Sequence, residues 1–408
     1  MPEAAPVTRA TLFVCRVLSR PVSVPDMSDT HLFTVDADGH VLEPRDTWES
    51  YIDPAFRDRA IRITRDGDDE VLLVDGAPIE GLRNSLAALG GIELDATVAL
   101  DPRSRLSYED GCPPGGYDPA ARLTVMDAEQ IDVAMLYPTI GICWEGMVTE
   151  PALANAYTRA YNRYITEFCS YNPKRLVPVA HISLLDPDFA CAEARRAREA
   201  GCKAIYLSPD LAARAGKHLM DPSYDAFWET ASDLEMPVGF HVVVRDKPFF
   251  RPWMPGRNDG SGLFFFAFLA IDVMAAFTQM LAGGVFDKHP GLRCTVLESG
   301  ATWIAAWLDR MDHKYEVMRK VTPTELKPSD YFYRQCLVSA DPDETVIAPI
   351  VEAVGADYFV WASDYPHIDA SFGVVGEIRS RIASLPIEDQ AKVMGTNAAR
   401  FYQLDQPY

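Results

Sequence analysis

The segment VDADGH, Val35–His40, ends a short apolar run with two carboxylates and an imidazole. The run is predicted to form a strand over Leu32–Ala37, and successive side chains of a strand alternate between its two faces. Asp36, Asp38 and His40 are therefore expected to point the same way. Three ionisable groups that face one apolar space are costly unless a cation compensates them. The segment thus predicts a strand that leads into a metal or catalytic site.

Seven further apolar, β-branched runs follow along the 408 residues and alternate with longer helical patterns. The eight predicted strands are Leu32–Ala37, Val133–Tyr137, Leu176–Ser183, Ala204–Leu207, Val238–Val243, Arg293–Leu297, Cys336–Ser339 and Tyr358–Ala362. Eight strands that alternate with helices are typical of a (β/α)8 TIM barrel, an α/β fold. A doubly wound open sheet is the alternative.

A long excursion separates the first two predicted strands. Ala60–Thr64 and Val71–Val74 are predicted to pair as a hairpin, and a Gly/Pro-rich stretch follows. We expect this insertion, residues 55–120, to be a small cap that leans on the barrel mouth, within one barrel domain over residues 31–408. Residues 1–30 are expected to form an N-terminal extension, for which disorder and a start at Met27 are open alternatives.

The composition excludes several partners. Lys and Arg number 38 against 59 Asp and Glu, a formal net charge of −21. Such a chain has no excess of cations with which to bind nucleic acid or an anionic membrane. The eight cysteines form no CxxC pair and are expected to be reduced thiols. Because the N-terminal apolar stretch is also too short for a secretory signal, the protein is expected to be cytoplasmic.

Ionisable residues stand where the predicted strands end, which is where TIM barrels carry their chemistry. The third, fifth, sixth and eighth strands lead to His181, His241, Glu298 and Asp364. In a barrel, four of the strand-end residues would converge on one axial point as metal ligands: Asp38, His40, His241 and Asp364. A hydrogen-bonded core position for His181 and a helix-capping role for Glu298 are the structural alternatives.

The ligand chemistry limits the choice of metal. Imidazole and carboxylate without cysteine suit Zn²⁺, with Mn²⁺ or Fe²⁺ as alternatives, in a catalytic site that keeps an open position. The sequence has no phosphate-binding loop, no dinucleotide fingerprint and no Gly-x-Ser-x-Gly elbow. Nucleotide-dependent and serine-hydrolase chemistry are therefore not expected.

Several motifs occur in a fixed order along the chain. They are Val35–Pro44 (VDADGHVLEP), Gly115–Arg122 (GGYDPAAR), Leu136–Thr139 (LYPT), Gly239–His241 (GFH), His289–Leu292 (HPGL), Val296–Gly300 (VLESG), Ala362–His367 (ASDYPH) and Thr396–Tyr402 (TNAARFY). This ordered set resembles the amidohydrolase-2 branch of the amidohydrolase superfamily, which includes aminocarboxymuconate-semialdehyde decarboxylase-like proteins. The resemblance spans roughly residues 30 to 403 and is specific for the family but not for a substrate.

The resemblance implies a metal-dependent barrel with one divalent ion. It places Asp38 and His40 in the first-strand ligand pair, His241 at the fifth strand and Asp364 at the eighth. Two positions depart from the family pattern. Asp38 stands where the pair usually begins with histidine, and Glu298 stands where the decarboxylases carry a sixth-strand histidine. The second departure weakens the expectation of a decarboxylase.

The leading hypothesis is hydrolysis of a small aromatic or carboxylated substrate by metal-activated water. Asp364 would move the water's proton, Glu298 would orient the water or act as a second acid/base, and His181 would contact the substrate. The alternative is non-oxidative decarboxylation of a hydroxyaromatic or muconate-like acid, with Asp364 as the proton donor to carbon. A non-enzymatic binding module is a third hypothesis, which the intact ligand set disfavours.

Five residues are candidates for substrate binding. Arg245 and Arg251 follow the fifth strand and would clamp a carboxylate, with a solvated loop as the alternative. Tyr137 and Trp144 would wall an apolar substrate, with core packing as the alternative. His367 lies just beyond the last strand, where it would contact substrate or only rim the pocket.

The stretch Leu263–Phe277 is almost wholly apolar but is broken by Asp272 and falls short of a membrane span. It predicts a buried or subunit-facing helix, and we expect a homo-oligomer, most simply a dimer. Light scattering at micromolar concentration should report the dimer mass. A monodisperse monomer would contradict this expectation.

Overall fold

Parallel strands in chain order around a ring form a nearly closed barrel, which confirms the predicted (β/α)8 fold. The computed structural model describes residues 31–244 and 261–405, without the side chains of residues 261–266. The strands are β1 (Val35–His40), β2 (Arg62–Asp66), β3 (Asp69–Val74), β4 (Ala77–Pro78), β5 (Val133–Tyr137), β6 (Leu176–His181), β7 (Ala204–Leu207), β8 (Val238–Phe240), β9 (Cys294–Val296), β10 (Cys336–Ala340) and β11 (Phe359–Trp361). The barrel consists of β1 and β5–β11, so each of the eight predicted barrel strands is present.

Helices surround the barrel and join its strands. They are α1 (Thr47–Tyr51), α2 (Ala96–Ala99), α3 (Pro114–Tyr117), α4 (Pro119–Glu129), α5 (Pro151–Cys169), α6 (Pro187–Glu199), α7 (Asp225–Asp233), α8 (Ser261–Ala282), α9 (Val285–Lys288), α10 (Ile304–Met318), α11 (Pro328–Gln335), α12 (Ile347–Val354), α13 (Val374–Arg381), α14 (Ile387–Ala391) and α15 (Asn397–Tyr402). Asp-Pro pairs begin α4 and α6: Asp118 and Asp186 each accept a backbone N–H, and the proline that follows begins the helix. Proline at the first helical position loses no hydrogen bond, so these pairs are strong start signals.

Backbone hydrogen bonds close the ring between its first and last strands. The amide of Asp364 donates to the carbonyl oxygen of Asp38 at 3.0 Å, and the amide of His40 donates to that of Tyr365 at 2.7 Å. Both bonds join the end of β1 to the loop after β11. Barrel closure therefore brings the first-strand and eighth-strand ligand candidates together.

A bulge in β1 overturns the expected direction of one side chain. The pairing of β1 with β5 shifts register between Asp36 and Gly39. An extra residue in a strand turns the side chains on either side of it to different faces. Asp38 and His40 point into the barrel, whereas the Asp36 carboxylate accepts hydrogen bonds from Ser363. Strict alternation of Asp36, Asp38 and His40 is therefore wrong.

The insertion between β1 and β5 packs against the loop after β11. Its three antiparallel strands β2–β4 include the predicted hairpin, which turns at Asp66 opposite Asp69. Further along, the amide of Ile92 donates to the carbonyl oxygen of Pro366 at 3.2 Å. Gly111 allows this segment to pack tightly, because a Cβ there would lie 2.0 Å from the carbonyl oxygen of Ala87. The insertion thus holds the segment that follows Asp364.

The apolar stretch 263–277 forms most of α8, as predicted for a helix. Val273, Ala276 and Phe277 are buried, whereas Ile271 is 36% exposed. Among the residues that the structure describes, no helix has both the length and the hydropathy of a membrane span. Whether a second subunit covers the exposed side stays a prediction.

Two glycine substitutions test the packing of the insertion. Gly111→Ala forces a Cβ against backbone and should lower the free energy of unfolding by about 1–3 kcal/mol. Gly376→Ala is the matched control: no atom lies within 4 Å of its Cβ position on α13. Because alanine favours helix, this variant should gain about 0.5–1 kcal/mol. Urea denaturation measures both, and equal stability of the two variants would contradict the packing described.

Candidate metal centre

Two imidazoles meet on the barrel axis. His40 at the end of β1 and His241 directly after β8 have their Nε2 atoms 3.0 Å apart. Nδ1 of His40 donates to the carbonyl oxygen of Pro138 at 2.9 Å, and Nδ1 of His241 donates to that of Val242 at 2.7 Å. A carbonyl oxygen only accepts, so Nδ1 carries the hydrogen in both rings. Nε2 is therefore the nitrogen that each ring offers to a metal.

Three carboxylates surround these nitrogens. Oδ1 and Oδ2 of Asp38 lie 3.5 Å from Nε2 of His40 and of His241, respectively. Oδ1 of Asp364 lies 3.3 Å from Nε2 of His40, and Oε2 of Glu298 lies 2.9 Å from Nε2 of His241. The structure thus brings together the four predicted metal ligands and places the predicted catalytic residue Glu298 beside them.

The donor set fits a divalent cation. Asp38 is fully buried, and neither of its oxygens has a hydrogen-bond donor among the described residues. Burying such a carboxylate costs on the order of several kcal/mol unless a cation compensates it. The potential ligand atoms form two overlapping sets, and within each set all atoms lie within 4.8 Å of one another. The first set comes from Asp38, His40 and His241, and the second from His40, Glu298, Asp364 and His367. Nitrogen and oxygen ligands in this arrangement suit one metal ion.

The pKa values follow from burial and from the neighbouring charges. Burial raises the pKa of Asp38 well above its ordinary value and lowers that of His40 well below it. Burial also lowers the pKa of His241, but the carboxylates of Asp38 and Glu298 outweigh this effect and raise it to about 9. The carboxylates thus favour positive charge at this point, as a divalent-cation site requires.

Two of the carboxylate residues have an unusual backbone. Glu298 has φ of 45° and Asp364 has φ of 54°, both in the left-handed region. Non-glycine residues there cost of order 1–3 kcal/mol and persist only where the surroundings hold them. Glu298 lies two residues after the end of β9, and Asp364 lies three residues after the end of β11. This backbone conformation is typical of residues held at a functional site.

His367 connects the centre to the loop after β5. Its Nδ1 lies 2.9 Å from Oδ1 of Asp364, and its Nε2 lies 2.9 Å from Oγ1 of Thr139. The ring is buried and packs 4.0 Å, centroid to centroid, from that of His40. His367 therefore lies between Asp364 and Thr139, the last residue of the Leu136–Thr139 motif, and its predicted contact with substrate stays a prediction.

His181 lies apart from the two ligand sets. Its Nε2 is 3.2 Å from Oε1 of Glu145, whose other oxygen accepts a 2.9 Å hydrogen bond from the hydroxyl of Tyr206. All three side chains are buried. Sequence reasoning missed Glu145, although an acidic residue inside the otherwise apolar stretch 140–145 is a signal of its own. His181 thus lies in a buried polar pair with Glu145, and its predicted role as a catalytic residue that contacts substrate stays a prediction.

The predicted substrate-binding aromatics lie behind the centre. Tyr137 is fully buried, and its ring stacks on that of His241 with centroids 5.8 Å apart. Trp144 is also fully buried and stacks on His181 at 5.1 Å. Both side chains therefore pack against histidine rings in the core, and their contact with substrate stays a prediction. Arg245 and Arg251 lie outside the described residues.

A cavity of about 130 Å³ opens beside the cluster. Seven carboxylate residues line it: Asp38, Glu298, Asp341, Asp343, Asp364, Asp369 and Glu377. No lysine or arginine lines it among the residues that the structure describes. Asp341 directly follows β10, so the strand-end rule that singled out Glu298 and Asp364 would also have found it. The carboxyl ends of β1, β9, β10 and β11 thus all present acids to one space.

Comparisons with known proteins identify the family of the chain and its relatives. Residues 35–404 match the family model described as Amidohydrolase. The gamma-resorcylate decarboxylase of Rhodococcus jostii (strain RHA1) is 26% identical over 302 residues, which cover 70% of this chain and 87% of that protein.

Solved structures share the fold. The crystal structure of an amidohydrolase from Mycobacterium avium subsp. paratuberculosis K-10 has a TM-score of 0.76 at 20% identity and covers 91% of this chain and 100% of that one. A variant of 5-carboxyvanillate decarboxylase from Novosphingobium aromaticivorans DSM 12444, with bound manganese and 3-methoxy-4-hydroxy-5-nitrobenzoic acid, has a TM-score of 0.64 at 19% identity. It covers 92% of this chain and 99% of that one.

Metal analysis tests the centre directly. Purified protein supplied with metal should hold about one divalent ion per chain by inductively coupled plasma mass spectrometry. His241→Ala removes a nitrogen from the middle of the cluster and should lose that ion. His313→Ala, an exposed position on α10, is the matched control and should keep it. Stoichiometric metal in both variants, or in neither the variants nor the parent protein, would contradict the assignment.

Proposed function

The chain belongs to the amidohydrolase family, and from that premise we propose that it is a metal-dependent decarboxylase of a hydroxyaromatic acid. The observation that carries the proposal is the match to gamma-resorcylate decarboxylase, which extends over 302 residues. The buried nitrogen–carboxylate cluster supports it, because it provides ligands for the metal of such an enzyme. This reverses the order in which the sequence alone ranks hydrolysis and decarboxylation.

Asp38, His40, His241 and Asp364 would hold the metal. When bound there, a divalent ion would supply positive charge that attracts the substrate carboxylate and stabilises the electron pair left by the departing CO₂. A ligand set with carboxylates beside two imidazoles suits Mn²⁺, and the manganese-bound decarboxylase of the same fold supports that choice. Zn²⁺, which the sequence favours first, and Fe²⁺ are the alternatives.

Loss of CO₂ breaks one carbon–carbon bond and leaves an electron pair on the ring carbon, which must then take a proton. Asp364 would deliver it, and two observations support this role: its carboxyl group lines the cavity and lies 2.9 Å from Nδ1 of His367. The proton moves from the Asp364 carboxyl to carbon, and the released product is the ring with hydrogen in place of the carboxylate. A general acid of this kind contributes roughly 10²- to 10⁴-fold to the rate.

Hydrolysis is the second candidate, and Glu298 is the observation that favours it. Its carboxyl group lines the cavity and lies 2.9 Å from Nε2 of His241. A carboxylate at this position is suited to orient a water molecule and to take its proton. The family resemblance implies that decarboxylases carry a histidine at this position, so Glu298 distinguishes this chain from them.

The products distinguish the two reactions. Full-length protein loaded with Mn²⁺ and supplied with ortho-hydroxybenzoates should release CO₂ and, in D₂O, place deuterium on the carbon that lost it. In H₂¹⁸O the aromatic product should gain no ¹⁸O. Incorporation of ¹⁸O into a product of an ester, lactone or meta-cleavage substrate, without CO₂ release, would replace the decarboxylase by the hydrolase.

A variant pair ties the activity to the proposed acid. Asp364→Asn should lower the rate of decarboxylation by about 10²- to 10⁴-fold, with metal content measured in the same sample. Asp357→Asn removes an exposed carboxylate that pairs with Lys392 just before β11 and should leave the rate unchanged. Equal rates in the two variants would exclude Asp364 as the proton donor.

A further inference from the structure

A buried guanidinium contacts the backbone of His40, one of the proposed metal ligands. Arg122, on α4, is 1% exposed, and its Nη1 donates to the carbonyl oxygen of His40 at 2.7 Å. Its Nη2 lies 4.0 Å from Oδ2 of Asp36, and its Cζ lies 4.6 Å from the ring centroid of Tyr365. The GGYDPAAR motif thus ends in a side chain that touches both β1 and the loop after β11.

Asp36 completes the connection. Its Oδ2 accepts a 2.6 Å hydrogen bond from Oγ of Ser363, and its Oδ1 accepts from the amide of Ser363 at 2.9 Å and from that of Asp38 at 3.3 Å. Asp36 and Ser363 are both buried. Both oxygens of this carboxylate therefore accept hydrogen bonds from β1 and from the loop after β11, and neither contacts the side chain of a proposed ligand.

These contacts reach the backbone at three of the four proposed ligands. Asp36 binds the amide of Asp38, and Arg122 binds the carbonyl oxygen of His40. Ser363 immediately precedes Asp364, which has a left-handed backbone. The space between the contacts is full, because a Cβ on Gly39 would lie 2.5 Å from Nη2 of Arg122.

We propose that Asp36, Arg122 and Ser363, the positioning cluster, set the metal affinity by holding the backbone of Asp38, His40 and Asp364 in the ligating arrangement. The inference rests on the metal site of the proposed function. None of the three side chains belongs to the ligand sets, so they act as positioning residues. Partners that orient metal ligands typically contribute about 10- to 100-fold to metal affinity or activity.

The chain contains a matched control for this cluster. On α11, Ser329 donates from Oγ to Oδ2 of Asp312 at 2.6 Å and from its amide to Oδ1 at 3.0 Å. Asp312 also pairs with the ammonium of Lys327 at 3.2 Å. The same serine–aspartate–cation arrangement therefore occurs among the outer helices, away from the proposed ligands.

The experiment compares Ser363→Ala with Ser329→Ala in the full chain after chelation of metal. Each variant loses one 2.6 Å hydrogen bond, so the midpoint temperature of thermal unfolding of the metal-free protein should fall in both variants. The Kd for Mn²⁺, followed by electron paramagnetic resonance, should rise at least about tenfold in Ser363→Ala only. The resonance of bound Mn²⁺ should also change in that variant, which a loss of stability alone would not produce.

A second pair of variants keeps the test valid if the first pair fails to fold. Asp36→Asn keeps the shape of the side chain and removes its charge, and Asp312→Asn does the same at the control position. Weaker Mn²⁺ binding in Asp36→Asn alone supports the proposal. If the parent protein binds Mn²⁺ and every variant binds it equally well, the positioning role is overturned and the proposed function stands. If the parent protein binds no metal, the proposed metal site and this inference are both overturned.

Discussion

The burial of the Asp38 carboxylate between two imidazoles is the constraint on which the site depends. Its oxygens have no hydrogen-bond donor in the described part of the chain, and the nearest nitrogens, Nε2 of His40 and of His241, each lie 3.5 Å away. Such a group is stable in a barrel interior only if positive charge accompanies it. A metal held at the proposed ligands would therefore stabilise the fold as well as serve the chemistry.

The contacts that position the cluster lie where β1 meets the loop after β11, a junction that we call the seam. The two strands are joined through backbone bonds between Asp38 and Asp364 and between His40 and Tyr365. Around that seam lie the insertion, which packs on the loop after β11, and the buried pair of Arg122 and Asp36. Because one seam carries three of the four proposed ligands, distortion there would affect metal binding before it affected the rest of the barrel.

The sequence predicts the barrel because strand composition and helix spacing are local properties, and it predicts His241 and Asp364 because strand ends meet in space. It fails where tertiary contacts decide. The bulge that turns Asp36 away from the centre depends on the pairing with β5, and the pairing of His181 with Glu145 depends on a loop whose course no periodicity specifies. Residue identity alone does not separate Tyr137 in the core from an aromatic at the cavity wall.

The acidic cavity constrains the choice of substrate. Seven carboxylate residues line it, so an anionic substrate of the proposed kind would enter against repulsion that only nearby positive charge can offset. Two of them, Asp38 and Glu298, raise the pKa of His241 to about 9 against the effect of burial, so positive charge is favoured at the centre and not along the cavity walls. In the proposed decarboxylation, a substrate carboxylate would be bound most strongly beside the proposed ligands and Asp364, where loss of CO₂ and protonation of carbon would take place. The carboxylates that repel anions from the cavity walls would thus also favour the binding of an anion at a metal held by the proposed ligands.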